Sequence, residues 1–396
     1  MLDYATARAL VLEQTFDWGE ETVPLAEAVG RVLRQAVIAD RDQPPFDRVA
    51  MDGIAIHYAT YAAGRRSFDV SHLAPAGTAA QPLSDPDRCV EVMTGAPLPP
   101  GTDTVIRYED LVRDGAAFTV PEDVAAGKSV HRRATDGRAG DRILEGGRRI
   151  GPAEAAVLAT YGFASVTVAR QPRVAIASTG DEVVAVDQSP QDHQIRSSNV
   201  YQLAALFHGI GIRPALHHLP DAERAGRATL QEMLHAHDIV LLSGGVSKGK
   251  LDHVPEWLAA AGVRKLFHRV AQRPGKPLWV GRTDRTMVFA LPGNPASSLV
   301  GAVAYLGPWL GRQLGLADHF RYATLAETVS FPPALTLFRS VRLLEDASGQ
   351  RALPVGNSGS GDLVSLLDTD GFLVLPAADS TFPAGTRYPY LPLSLP

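Results

Sequence analysis

The chain of 396 residues has one cysteine, Cys89. That count excludes an intramolecular disulfide framework and any multi-cysteine metal site, and it fits a reducing compartment. A lone cysteine in this setting reads as a small buried hydrophobe rather than a nucleophile. Basic excess is missing too: the net charge is −5 and the pI ≈ 6.2. A polyanion-coating role is thereby disfavoured, and an anionic ligand must meet a local cluster of cations. The N-terminus, MLDYATARALVLEQTFDWGEE, carries acids where an export signal needs a basic start, and it has no unbroken apolar stretch. The longest uncharged run, 287–311, is broken at Pro292-Gly293-Asn294-Pro295 and diluted by glycines, so a buried core helix is expected there rather than a membrane span. Internal repeats and low-complexity segments are absent. The expectation is a cytoplasmic, multidomain protein, since 45% hydrophobic and 20% charged residues describe a globular chain with a sizeable core.

One near-motif also lacks a part. In LLSGGVSKGKLDH, 241–253, Gly244 is followed at phosphate-loop spacing by Gly249 and Lys250, but Leu251 stands where the loop needs a magnesium-ligating hydroxyl. A nucleotide-hydrolysing P-loop protein is disfavoured on that ground.

Helical spacing marks residues 5–15 and 25–33, the second ending before a Pro-rich turn at 42–46. From 48 to 137 the pattern becomes short strands, GIAIHYA, RCVEVM, TDTVIRY and AAFTV, divided by Gly, Pro and Asp. A helix entered through Pro152 is expected over 146–162. Between 172 and 316 strands (RVAIAS, RPALHH, DIVLLS, TMVFAL) alternate with helices, ending in one long helix over 296–315. Such alternation predicts a mainly parallel sheet covered on both faces, a three-layer α/β/α domain with ligands at the carboxyl ends of its strands. The stretch 330–396 returns to short strands and predicts a small β-barrel or sandwich.

Three loops expected at that sheet edge are rich in small residues: Ser178-Thr179-Gly180-Asp181-Glu182, Ser243-Gly244-Gly245-Val246-Ser247 and Leu291-Pro292-Gly293-Asn294-Pro295. Glycines admit backbone N–H groups close to an anion, and the helix N-termini that follow add partial positive charge. FHRVAQRPGKP, 267–277, concentrates His268, Arg269, Arg273 and Lys276. On one strand Arg269, Ala271 and Arg273 share a face, which would aim two guanidinium groups at one oxyanion. Asp221 and Asp252 each precede a helical pattern, and taken singly each is explained as an N-cap. Taken together at an anion-binding edge, they suit a magnesium ion that keeps its waters and bridges to phosphate.

STGDE, SGGVS followed by Asp252, QRPGKP and LPGNPASS, in this order and spacing, resemble the molybdopterin molybdenumtransferase family, whose relatives include the C-terminal domain of gephyrin. PPFDRVAMDGIAI, MTGAPLPPGTDTVIRYED and NSGSGDLVSL extend the likeness over nearly the whole chain. The resemblance implies insertion of molybdate into adenylated molybdopterin with release of AMP, using Mg2+, by a homodimer whose cleft takes residues from both subunits. It also implies four domains: 1–44 plus 138–170, helical and extended; 45–137, β-rich; 171–318, α/β and molybdopterin-binding; and 319–396, a barrel. By similarity Asp52, Asp136, Glu182, Asp221 and Asp252 are the catalytic acids, the last two holding the metal. Substrate would be met by Thr94, Gly95, Ser178, Thr179, Gly180, Ser243, Gly244, Gly245, Ser247, Pro274, Gly275, Lys276, Pro292, Gly293, Asn294 and Pro295. Arg269, Arg273, Arg339 and Ser360 are expected around the oxyanion. The adenylyltransferase that makes the substrate and the recipient molybdoenzymes are candidate partners, and no nucleic acid or membrane is expected.

The chain departs from the family pattern at Arg48, Val49 and Ile54, in the block Ala134-Thr135-Asp136, and at Lys248 and Lys250. Lys248 or Lys250, beside the Gly-rich loop, is expected to contribute a phosphate contact in place of a side-chain hydroxyl. Two other readings stand beside the transferase: a molybdopterin adenylyltransferase, which shares the central domain, and a non-catalytic molybdopterin-binding scaffold. Retention of all five acids weighs against the scaffold.

Overall fold

The computed structural model describes residues 1–396 except 121–122, 247–252, 318–320, 347–348 and 357, and the side chain of Asp346. Ser247, Lys248, Lys250, Leu251 and Asp252 therefore lie outside the described residues. Two compact units divide the chain: one of 1–35, 146–155 and 165–396, the other of 36–145 and 156–164.

In the larger unit, the strands Ala215–Leu219, Val174–Thr179, Ile239–Ser243 and Met287–Leu291 lie parallel and adjacent in that order. The last three are short, mainly apolar runs buried throughout, as a parallel sheet under helices requires, whereas the edge strand Ala215–Leu219 carries two histidines and is mostly exposed. Alternation assigns the faces: Val174, Ile176, Ile239 and Leu241 pack with Leu203 and Phe207 of the Asn199–His208 helix. Ala175, Ala177, Val240 and Leu242 pack with Leu230 and Met233 of the Glu223–Ala236 helix and Trp257 of the Val254–Ala260 helix. The expected three layers are present. Sequence patterning missed two antiparallel strands on the far edge, Trp279–Arg282 and Arg264–His268.

The expected long helix is Pro295–Gly301, a π-helical stretch Ala302–Leu306, and Gly307–Gln313. The wide turn falls just before Pro308, which has no N–H to continue the ordinary pattern. At 25–33 the expected helix is absent: the turn Leu25–Glu27 is followed by Gly30 at φ 83°. There the backbone bonds a distant segment, Gly30 N–H to Ile150 O at 2.8 Å and Leu33 N–H to Arg148 O at 2.9 Å. A nine-residue pattern interrupted by glycine is too short to outweigh such long-range pairing.

Near the C-terminus the strands Thr336–Asp346, Gly349–Pro354, Arg321–Leu325, Arg387–Pro392 and Gly371–Leu375 pair around a closed ring, because the first also pairs with the last. Closure leaves no free edge among these strands. Its core includes Val341, Leu373, Leu375 and Phe382.

The smaller unit is β-rich, as expected. Its six-stranded sheet runs Thr104–Arg107, Gly53–Ile56, Cys89–Val92, Ser67–Ala74, Ala117–Thr119, Val112–Asp114. Ile54, Ile56, Phe68 and Ile106 pack on one face, and Ala55, Val90, Val92 and Val105 on the other. Cys89 is buried in the first cluster, and burial, aided by Glu91, pushes its thiol up to about 12, consistent with a structural role.

Candidate functional site

The parallel register sets the geometry of one sheet edge. Ser178, Ser243 and Leu291 stand in one cross-strand row, so the three Gly-rich loops leave the sheet side by side. Gly244 N–H donates to Leu291 O at 3.0 Å, and Thr179 Oγ1 donates to Ser243 O at 3.3 Å. Gly244 and Gly245 have φ of 108° and 69°, and a Cβ on Gly244 would collide with the Thr179 hydroxyl. Glycine is required there by both conformation and space. Ser178 is buried and bonds His218 Nδ1 at 3.0 Å through its hydroxyl.

Asn199 ties the loops together, donating from its amide to Ser243 Oγ at 2.8 Å and to Gly293 O at 2.6 Å. Sequence reading did not single it out. Its signal was its place at the start of a helix that must follow the first strand.

At the neighbouring corner Asp221 N–H donates to Asp181 Oδ1 at 3.1 Å, and Asp181 N–H donates to Asp221 Oδ2 at 3.2 Å. Asp221 is therefore not a helix cap: Ala222 occupies that position, without a side-chain bond. Asp181, not among the expected site residues, joins Asp221 as a second carboxylate. The Glu182 carboxylate folds back over Gly180, where it would meet any added Cβ. Among the described residues no three His, Cys, Asp or Glu side chains converge as a metal site. Two oxygen donors nonetheless match the way magnesium is held, by one or two carboxylates, water and substrate phosphate.

Beside this edge lies a cavity of about 600 Å³ whose lining includes Arg273, Lys276, Arg339, Asn294, Ser297 and Ser360. Pro274, Gly275 and Pro292 also line it, and none of its described lining residues is acidic. Asn294 Nδ2 donates to Ser360 Oγ at 2.8 Å, and Arg273 lies over the Phe331 ring with its guanidinium carbon 5.8 Å from the centroid. Arg339 Nε is buried and has no hydrogen-bond partner among the described residues, and burial lowers the guanidinium's pKa. Three cations with no described carboxylate among them give the cavity the chemistry to hold an anion.

Arg269 is not in this lining, and the expectation that it shares a strand face with Arg273 is corrected by the backbone. The strand ends at His268, Arg269 turns with φ 74°, and Gln272–Arg273 is a separate short strand paired with Thr336 and Leu337. Gln272, like Asn199, is not singled out by the sequence. It is 1% exposed, donates to Pro274 O at 3.2 Å and to Gly275 O at 3.3 Å, and accepts from the buried Tyr305 hydroxyl.

In the smaller unit Asp52 Oδ1 accepts from Thr94 N–H at 2.6 Å and from Thr94 Oγ1 at 2.7 Å. These bonds, the backbone one foremost, hold its carboxyl below the usual carboxylate range. Gly95 follows at φ 89°. Asp136 lies elsewhere in this unit, 3.0 Å from His131 Nε2.

Three family models cover nearly all of the chain: the MoeA N-terminal region (domain I and II) at 2–162, a probable molybdopterin binding domain at 175–312, and the MoeA C-terminal region (domain IV) at 322–393. A molybdopterin molybdenumtransferase of Synechocystis sp. is 36% identical over 396 residues, covering 98% of this chain and 99% of that protein. One from Staphylococcus aureus (strain Mu50) is 31% identical, with 92% of this chain and 89% of that protein covered. The crystal structure of a molybdopterin biosynthesis moeA protein from Pyrococcus horikoshii OT3 superposes with a TM-score of 0.82 at 27% identity, covering 99% of this chain and 100% of that one. On this full-length similarity, the chain belongs to the molybdopterin molybdenumtransferase (MoeA) family.

Proposed function

We propose that the protein inserts molybdate into adenylated molybdopterin and releases AMP, as a cytoplasmic homodimer that uses Mg2+. The observation that carries this reading is the cavity lined by Arg273, Lys276 and Arg339, with the Asn294–Ser360 pair and no described acid in its lining. A tetrahedral oxyanion fits such a set, because each guanidinium offers parallel donors and the hydroxyl and amide supply neutral ones. Arg269 lies outside the lining of that cavity.

The Gly-rich edge, with Ser178, Thr179, Gly180, Ser243, Gly244, Gly245, Gly293 and Pro295, serves the pterin and its phosphates. Asp181 and Asp221 would hold the magnesium, which would supply charge neutralisation on the phosphoanhydride; Asp252, the other ligand the resemblance implies, lies outside the described residues. Glu182 orients the substrate. Asp52 with Thr94 and Gly95, and Asp136, serve the same reaction from the β-rich unit. Cleavage of the phosphoanhydride then requires positioning and charge stabilisation rather than a protein nucleophile, with water or a molybdate oxygen attacking phosphorus. The four-domain division 1–44 plus 138–170, 45–137, 171–318 and 319–396 is proposed with this reading.

The test is turnover. AMP released from adenylated molybdopterin on addition of molybdate and Mg2+ supports the transferase. Formation of adenylated pterin from ATP would replace it with the adenylyltransferase, and binding without either reaction would leave the scaffold.

A further inference from the structure

We propose that His131, held in one tautomer by Arg48, is a positioning residue for Asp136; the inference rests on the reading of Asp136 as a functional carboxylate. Arg48–Val49 and Val130–His131 form an antiparallel ribbon whose register sets Arg48 directly opposite His131. Side chains paired in this way lie on one face. Arg48 Nη2 stands 3.0 Å from His131 Nδ1, and His131 Nε2 stands 3.0 Å from Asp136 Oδ1. A guanidinium donates and never accepts, so Nδ1 is the acceptor, the ring is neutral, and its one proton is on Nε2, aimed at the carboxylate. Arg48, one of the departures from the family pattern, therefore decides which nitrogen faces Asp136.

The loop between the two residues is over-determined. Arg133 N–H donates to Asp47 Oδ1 at 2.8 Å, Arg132 Nη1 to Asp47 Oδ2 at 2.6 Å, and Arg133 Nε to Asp42 Oδ2 at 2.6 Å. Ala134 has φ 60° and donates to Pro44 O at 3.0 Å, and Asp136 N–H donates to Gln43 O at 2.8 Å. A positive φ at alanine persists where surrounding bonds enforce it, a pattern that concentrates at functional sites. The Asp136 side chain is 48% exposed. An exposed His–Asp pair adds little stability, so this chain of three groups is accounted for by presentation of the carboxylate.

The test compares two amides in the full-length protein, with AMP release from adenylated molybdopterin as readout. The side chain in His131→Asn ends near the Nδ1 position and reaches Arg48 but not Asp136, whereas that in His131→Gln reaches as far as Nε2. The expected result is a kcat loss on the order of 10²-fold for His131→Asn, since small misplacements of a working group act on that scale. His131→Gln should regain most of the loss, and His131→Asn should add nothing to Asp136→Asn, because groups acting as one unit are not additive. Full turnover by His131→Asn, or losses that multiply in the double variant, overturns the role of His131. Full turnover by Asp136→Asn overturns the reading of Asp136, and the inference with it. Should His131→Asn fold poorly, Arg48→Leu, which leaves the imidazole in place but releases the tautomer, should lower kcat in the wild-type background and not in Asp136→Asn; equal losses in both overturn the proposal.

Discussion

Asn199 and Ser243 are joined by a 2.8 Å hydrogen bond from the first residue of a helix to the last residue of a strand 44 positions later. The same amide also reaches Gly293 O. One side chain thus sets the spacing of two Gly-rich loops. Asn199→Ala should raise the KM for adenylated molybdopterin by tenfold or more while shifting stability by only about 1 kcal/mol. Steady-state kinetics alongside thermal unfolding checks this, and an unchanged KM would sink the idea.

Gln272 lines the cavity and holds the Pro274-Gly275 turn in place. Replacement by Leu leaves the Tyr305 hydroxyl and the Pro274 and Gly275 carbonyls without their amide partner. The expected loss is about 1–3 kcal/mol of stability, together with weaker molybdate binding. Denaturant titration and calorimetric binding measure the two effects separately.

Arg339 should behave in the opposite sense. Its Nε is buried without a partner among the described residues, so Arg339→Met removes a desolvated cation at little or no loss of unfolding free energy. Molybdate affinity should nevertheless fall about tenfold or more, as a lost charge-assisted bond implies. A variant that unfolds more readily and binds molybdate as tightly as the parent would contradict both expectations.

Asp238 links the protein to pH. It is 6% exposed and pairs with Arg173 Nη2 at 3.1 Å and Arg170 Nη2 at 3.2 Å. Burial alone would raise its pKa; the hydrogen bonds from Arg173 and the charges of Arg170 and Arg173 outweigh it and leave the carboxyl below its ordinary value. The stability it contributes is therefore present above the unfolded value of about 3.9 and is lost as pH falls through the lower folded one. Asp238→Asn should unfold at lower temperature at pH 7 and show a shallower loss between about pH 4 and lower pH. Melting temperatures across pH 2–7 decide it.

Much of the architecture was legible from local chemistry. Strands such as RVAIAS and DIVLLS are apolar on both faces because helices cover both, and that signature survives without any contact information. Of the four residues expected together from family likeness, Arg273, Arg339 and Ser360 line one cavity, although they are spread over 88 positions, from 273 to 360. Arg269 and Arg273 do not share a strand face for a local reason: the segment turns after His268.

Sequence by itself determined the alternation of elements, the placement of glycines where the loops turn with positive φ, and the family to which the chain belongs. Tertiary structure alone decided that 25–33 forgoes a helix, that Asp221 faces Asp181 instead of capping, and that Asn199 and Gln272 hold the loops. Periodicity and spacing record which face of an element is buried and where the backbone must bend. Which polar atom finds which partner depends on long-range register, and the small free energy of each bond leaves no pattern in the chain from which to read it.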